Sequence, residues 1–384
     1  MSSREVLTVI YYQALKSVTA ESIIRNNLTI SKKYLTICDK KYALKEFNNL
    51  YCFSVGKAGL GMAKACEDVL GEKIKAGVAI SHQVGELERG EHFTSSHPLV
   101  SQKSFDSADK LMEMMSTMQE DDFFIFSLSG GASAMIEKPI EGLTLEDFQK
   151  ISSSLLGSGI DIKALNSVRK AISKVKGGKL ANCTKANGVV LVLSDVIGDD
   201  LHTIGSAPML NGSIPHFIVG NNEIALEEAK LSIVNDVERV KIVTTSLAMS
   251  SKEASKYIAK KIKKYDKKYK SFCLLFGGET TTKVQGNGEG GRNQELALRL
   301  LLKETIGKNI SILSAGSDGI DGNSPATGAF LDYGIYKKIE EQQLDPEYYL
   351  KESNSYGFFK ALDYDFTIGA TGTNVMDFII VLKK

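Results

Sequence analysis

Short apolar runs recur along this chain with amphipathic stretches between them, and that alternation leaves few folds open. YCFSV (51–55), AGVAI (76–80), FFIFSLS (123–129), VVLVLS (189–194) and HFIVG (216–220) read as strands covered on both faces. Parallel sheets built from βαβ crossovers have that character, so a doubly wound α/β sheet is expected. A second series, KIVTT (241–245), FCLLF (272–276), ISILSA (310–315) and FIIVL (378–382), predicts a second α/β body. At 384 residues the chain exceeds one ordinary core, which agrees with two domains. Asn235, Asp236 and charged neighbours interrupt the pattern near 232–240, so the domains are expected at 1–235 and 236–384.

Charge and cysteine content exclude several classes. With 47 Lys and Arg against 46 Asp and Glu, there is no basic excess to hold nucleic acid. The lysine-rich stretch 260–270 reads as the solvated face of a helix. The five cysteines are widely spaced and form no CxxC pair, as expected of thiols in a reducing cytoplasm, and any metal should be held by oxygen. The N-terminal MSSREVLTVIYYQALKSV has helical spacing rather than the unbroken apolar core of a signal peptide. No apolar run is long enough for a membrane span, so a cytoplasmic location is expected, and a homo-oligomer is allowed.

Small and charged residues cluster where strands should end. In GGETTTKVQGNGEGGRNQE (277–295), Glu279 follows a buried strand, and Gly286, Gly288, Gly290 and Gly291 precede Arg292. Loops without β-carbons bring backbone N–H groups close to anions, and Arg292 would open a helix over 293–304 whose positive end faces the same ligand. After the first strand come Gly56 and Lys57, neither a Walker loop nor a dinucleotide fingerprint, with Lys57 placed to bind phosphate or carboxylate. Ser129, Gly130, Gly131 and Ser133 form another small-residue turn that could cradle an anion, without the nucleophile elbow of a serine hydrolase. Arg169 and Lys176 are the best-placed cations of the basic stretch 166–180. Asp195 and Asp318 stand at the mouths of two further strands and suit Mg²⁺, which takes one or two carboxylates beside substrate phosphates. Cations for phosphate and acids for metal and base together point to phosphoryl transfer.

Ordered motifs over nearly the whole chain are similar to those of the glycerate 2-kinase family, whose C-terminal half is the MOFRL domain. They are SVGKAGLGMA from Ser54, SHP from Ser96, SLSGGASAM from Ser127, NSVRKAISKVKGGKLA from Asn166, LSDVIGDDLHTIGSAP from Leu193, the 277–295 stretch, SAGSDGIDGNSPATGAF from Ser314 and TGTNVMD from Thr371. The resemblance implies ATP- and Mg²⁺-dependent phosphorylation of D-glycerate to 2-phosphoglycerate. It places this activity in a cleft between a Rossmann-like N-terminal domain and a smaller α/β (MOFRL) C-terminal one. Lys57 and Arg292 would neutralise phosphate and carboxylate, and Asp195, Glu279 or Asp318 would hold Mg²⁺. Asp195 is the first choice to orient or deprotonate the substrate hydroxyl, and Asn374 would join the binding loops. The chain departs from the family pattern at Ser101, where GHPVPD has its acid, at Ala132 of SGGAS, at Ala207 where SGP has glycine, and at Met376 where TNVND has asparagine. An NAD-linked hydroxypyruvate reductase would need a dinucleotide fingerprint and a ribose-binding acid, and neither is present. A non-catalytic anion sensor would have no use for the acids.

Overall fold

A computed structural model describes residues 1–157, 162–303 and 306–384. The chain divides into two compact units, Ala20–Gly220 and Met1–Thr19 with Asn221–Lys384. That division falls before the expected 235/236 break, and the N-terminal segment goes with the later part of the chain. Among the described residues no helix is long and apolar enough to cross a membrane.

In the unit Ala20–Gly220, β1 (Leu28–Ile30), β2 (Tyr34–Ile37) and β3 (Lys40–Ala43) make a small antiparallel sheet. The main sheet contains β4 (Leu50–Val55), β5 (Ile74–Ser81), β6 (Glu91–Thr94), β7 (Phe123–Ser129), β8 (Asn187–Leu193) and β9 (His216–Gly220). Its order is β6-β5-β4-β7-β8-β9 and every pair is parallel, as the apolar runs predict. All seven residues of β7 are buried, with Phe124 and Phe126 in the same core as Phe53, Val190 and Val192. Counted from β4, the order is the doubly wound Rossmann one, which reverses between β4 and β7. Ligands of such sheets bind where the carboxyl ends of those two strands diverge.

The second unit is built on β10 (Arg239–Leu247), β11 (Phe272–Gly278), β12 (Ile310–Gly316), β13 (Gly328–Leu331), β14 (Asp365–Phe366) and β15 (Asp377–Lys383), in the order β10-β11-β15-β12-β13-β14. Only β10 and β11 are parallel; β15 runs antiparallel to both its neighbours. The sheet is therefore mixed. Burial on both faces makes FIIVL as uniformly apolar as a parallel strand, so composition carries no sign of its direction. Antiparallel pairing has a geometric consequence: the first residue of β15, Asp377, lies beside the last residues of β11 and β12, Gly278 and Gly316.

The N-terminal helix Ser3–Ser17 opens with a capping box from Ser2 and Glu5 and buries Leu7, Ile10, Tyr11 and Ala14 in this second unit. The Tyr11 hydroxyl donates to the Gly316 carbonyl at 2.8 Å, and its ring meets Phe366 and Phe378 edge-on. Arg4 pairs with Asp332 and lies 3.7 Å over the Tyr364 ring. Thr373 Oγ1 donates to the Val18 carbonyl at 2.6 Å. Leu7→Ala should therefore cost about 2–5 kcal/mol of stability in urea titrations. Tyr11→Phe, which removes only the hydroxyl bond, should cost about 1–2 kcal/mol.

Candidate active site

The turns after β4 and β7 are knitted together at the point where the Rossmann order reverses. Lys57 N–H donates to the Gly130 carbonyl at 2.8 Å. Ser129 Oγ accepts from Ala58 N–H at 3.1 Å and donates to the Val55 carbonyl. Gly56 adopts φ +125°, and a β-carbon there would fall 2.3 Å from Ser129 Oγ. Gly56 and Ser129, expected to face an anion, instead hold the two turns in register, and the buried serine hydroxyl is spent on backbone. The next two glycines bring in chemistry. A β-carbon at Gly130 would lie 1.8 Å from Asp195 Oδ2, and one at Gly131 would lie 2.9 Å from His97 Cδ2 and 3.1 Å from Lys57 Cγ. Lys57, Asp195 and His97 thus converge on Gly130 and Gly131. Lys57 forms no ion pair among the described residues.

A cavity of about 490 Å³ opens beside this cluster, lined by His97, Gly131, Ser133, Phe148, Arg169 and Lys176 among others. That volume suits a small metabolite. Arg169 forms no ion pair among the described residues. Ser133 Oγ is hydrogen-bonded to Ser206 Oγ at 2.9 Å. Lys176 departs from its expected role as a phosphate ligand. Only 2% exposed, it donates to Glu137 Oε2 at 2.5 Å and to the Ser133 carbonyl at 2.8 Å, while Glu137 also accepts from Ser173 Oγ. Burial lowers the Lys176 pKa and the Glu137 carboxylate opposes that shift, so the pair supports the cavity wall from below as a neutral unit.

The Arg292 region also differs from expectation. The helix Arg292–Leu301 begins as predicted, and position 304 lies outside the described residues. Its first amides, however, are already taken: Asn293 N–H and Gln294 N–H donate to the two Asp321 carboxyl oxygens at 3.0 and 2.8 Å. Arg292 grips buried Asp377 through Nε at 2.7 Å and Nη2 at 2.9 Å, and Nη1 reaches Glu279 at 2.8 Å. Burial alone would lower the guanidinium pKa, but Asp377 and Glu279 raise it overall. The glycine loop is spent too. Gln285 N–H donates to Ser353 Oγ, Gly288 N–H to the Glu352 carbonyl and Gly290 N–H to Asn323 Oδ1. A β-carbon at Gly291 would strike Asp321 Oδ1 at 2.3 Å. These glycines, Gly290 and Gly291 included, serve close backbone packing rather than a phosphate cradle. Asn374 Oδ1 accepts from Met376 N–H at 3.0 Å in a local turn.

The expected metal ligands are divided between the two compact units. Asp195 belongs to the unit Ala20–Gly220, whereas Glu279 and Asp318 belong to the other. Among the described residues no group of three or more His, Cys, Asp or Glu is placed to hold a metal ion. Glu279 is paired with Arg292, while Asp318 stands near Asp377 at the end of β12: a β-carbon at Gly316 would lie 3.0 Å from Asp318 Oδ1 and 3.5 Å from Asp377 Oδ1. This donor set suits a Mg²⁺ that arrives with nucleotide phosphates rather than one caged by protein alone.

Residues 6–216 match the family model described as a domain of unknown function, DUF4147, and residues 272–377 match the MOFRL family. The D-glycerate 2-kinase of Thermotoga maritima is 34% identical, over 94% of this chain and 99% of its own. The glycerate 2-kinase of Pyrococcus horikoshii is 31% identical, over 100% and 98%. A crystal structure of glycerate kinase from Thermotoga maritima superimposes with a TM-score of 0.90 at 32% identity, covering 99% of both chains. The chain belongs to the glycerate 2-kinase family.

Three of its departures from the glycerate 2-kinase pattern, Ser101, Ala207 and Met376, fall at backbone positions with particular requirements. Ser101 is the N-cap of the helix Gln102–Thr117, its Oγ accepting from Lys103 N–H at 3.2 Å, a position that aspartate and serine fill about equally well. Ala207 and Met376 hold φ of +56° and +71°, where the family's glycine and asparagine are easier to accommodate. Sequence reasoning gave no role to His97, although the Ser96-His97-Pro98 motif pointed to it, and it missed Asp377 and Glu137.

Three variants test these assignments. Glu137→Ala leaves a buried ammonium uncompensated and should cost about 3–5 kcal/mol in urea, whereas Glu137→Leu with Lys176→Met should be far milder. The Asp321 carboxyl is pushed up to about 7 by burial, against the Gln294 and Asn293 N–H bonds. The folded protein therefore binds this proton more tightly than the unfolded chain, and the stability it confers is full below about pH 4 and lost as pH rises through 7. Asp321→Asn cannot titrate, so urea midpoints taken from about pH 4.5 to 7.5 should fall more steeply for the wild type than for this variant.

Proposed function

We propose that this protein transfers the γ-phosphoryl group of ATP to the 2-hydroxyl of D-glycerate, giving 2-phosphoglycerate, with Mg²⁺ bound to the nucleotide. The observation that carries the reading is the convergence of Lys57, which forms no ion pair among the described residues, with Asp195 and His97 on Gly130 and Gly131, beside a cavity lined by Arg169. This occurs at the switch point of a Rossmann sheet in a member of the glycerate 2-kinase family.

Lys57 would face the charge that builds on the transferring phosphoryl group, since its ammonium forms no ion pair among the described residues. Arg169 would take the substrate carboxylate in the cavity through its planar fork of donors. Asp195 would orient the acceptor hydroxyl. Arg292, with Nε and both terminal nitrogens engaged, would act by fixing Asp377 and Glu279 rather than by gripping the phosphate. Asp318 would hold Mg²⁺ together with the ATP phosphates, and the ion when bound offsets their negative charge.

The test is direct. Incubation of protein, ATP, Mg²⁺ and D-glycerate should release ADP, and phosphorus NMR should show 2-phosphoglycerate; exclusive 3-phosphoglycerate would mean a different hydroxyl, and full turnover in excess chelator would remove the metal. Lys57→Ala should lower kcat/KM by about 10²-fold or more with an unchanged urea midpoint, since no ion pair is lost. Wild-type turnover in that variant would displace the site from the β4–β7 turns. Glycerol, which lacks the carboxylate, should be a substrate poorer by roughly 30-fold or more.

A further inference from the structure

His97 stands where the cavity, the Lys57 turn and the Gly130-Gly131 turn meet. Its ring lies over Gly131, where a β-carbon would come within 3.2 Å of Nε2, and it lines the cavity beside Ser133 and Arg169. By contrast, His92 has both ring nitrogens engaged, by Ser81 Oγ and the Gly85 carbonyl, and His216 has its Nδ1 engaged by the Ile214 carbonyl. Neither ring nitrogen of His97 has a hydrogen-bond partner among the described residues, and the side chain is solvent-accessible. The charged and titratable groups around it are Lys57, Asp195 against the neighbouring Gly130, His82 with its ring 6.4 Å away, and Arg169 and Lys176 in the cavity lining. Partial burial, then Lys57 and His82, push its pKa down to about 4, so the ring is neutral at pH 7.

We propose that His97 is a catalytic residue whose ring nitrogen accepts the proton of the substrate hydroxyl during phosphoryl transfer. The inference rests on the glycerate kinase reading given above. The hydroxyl O–H bond breaks as an N–H bond forms on the imidazole, and the oxygen's freed electron pair makes the new O–P bond. The bond from phosphorus to the ADP oxygen breaks with its electrons going to ADP. The imidazolium, destabilised by Lys57, then releases its proton to water at the cavity mouth. Asp195, against the neighbouring glycine, is left to orient the hydroxyl.

The experiment is steady-state kinetics of the whole protein with ATP, Mg²⁺ and D-glycerate. His97→Ala should lose about 10²-fold in kcat while keeping the KM for ATP. Imidazole added at about pH 8, mostly neutral there, should restore roughly tenfold of that loss by entering the vacated space. Wild-type kcat in this variant, or a folded but inactive variant that imidazole does not rescue, overturns the proposal. Should His97→Ala fail to fold, His97→Gln keeps the side chain's bulk and a polar end without a basic nitrogen. It should retain the KM for D-glycerate and lose kcat, and retained kcat overturns the proposal. A wild-type protein that releases no ADP with D-glycerate overturns the kinase reading itself, and the His97 role with it.

Discussion

Asp377 is a carboxylate with only 2% of its side chain exposed, and burial pushes its pKa up. Arg292 opposes that shift by supplying two parallel N–H donors, the geometry in which guanidinium and carboxylate interact most strongly. Much of the second unit is arranged round that pair. An antiparallel β15 places Asp377 at the same edge as the ends of β11 and β12, so Glu279 after β11 can share the guanidinium and Asp318 after β12 stands close by. Asp321 completes the set by taking the free amides of the Arg292 helix. The cation and the positive end of the helix are thus already taken up by acids, which outnumber them.

In the unit Ala20–Gly220 the charges are left open instead. Its one buried cation, among the described residues, is Lys176, and Glu137 neutralises it. Lys57 and Arg169 form no ion pair among the described residues, and His97 adds no charge at neutral pH. An unbalanced positive field at the mouth of a low-dielectric cavity draws anions and strengthens contacts with them. The difference between the two glycine-rich regions is therefore electrostatic. Both have the small residues of a phosphate loop, yet only one keeps cations that the protein has not already paired.

Strand positions were legible in the sequence because burial on both faces leaves an unbroken apolar run, and β4, β5, β7, β8, β11 and β12 coincide with such runs. The parallel order of the first sheet followed from the alternation of strand and helix. Direction within the second sheet did not, because β15 is buried as fully as a parallel strand would be. Lys57 and Asp195 were found together because each ends a strand of one sheet, and the topology gathers strand ends. Arg292 shows the limit of the same logic. Glycines, an arginine and a helix start do describe an anion site, but Asp321 and Asp377 lie too far along the chain for spacing to show that they fill it.

The place of the N-terminal helix extends this argument from sites to the order of the chain. Tyr11 reaches Gly316 across 305 residues, and the stretch Ala20–Gly220 lies within that loop as a compact unit of its own. Closing a flexible loop costs entropy that grows with the logarithm of its length, so once Ala20–Gly220 has folded, fewer flexible residues remain to be restrained. Most strand contacts of that unit are made between segments of one continuous stretch, and they can form without the rest of the chain. The second unit has no such independence. Its core needs Leu7, Ile10 and Tyr11 from the first residues and β15 from the last, so the setting of Asp318 and Asp377 is complete only when both ends of the chain are in place.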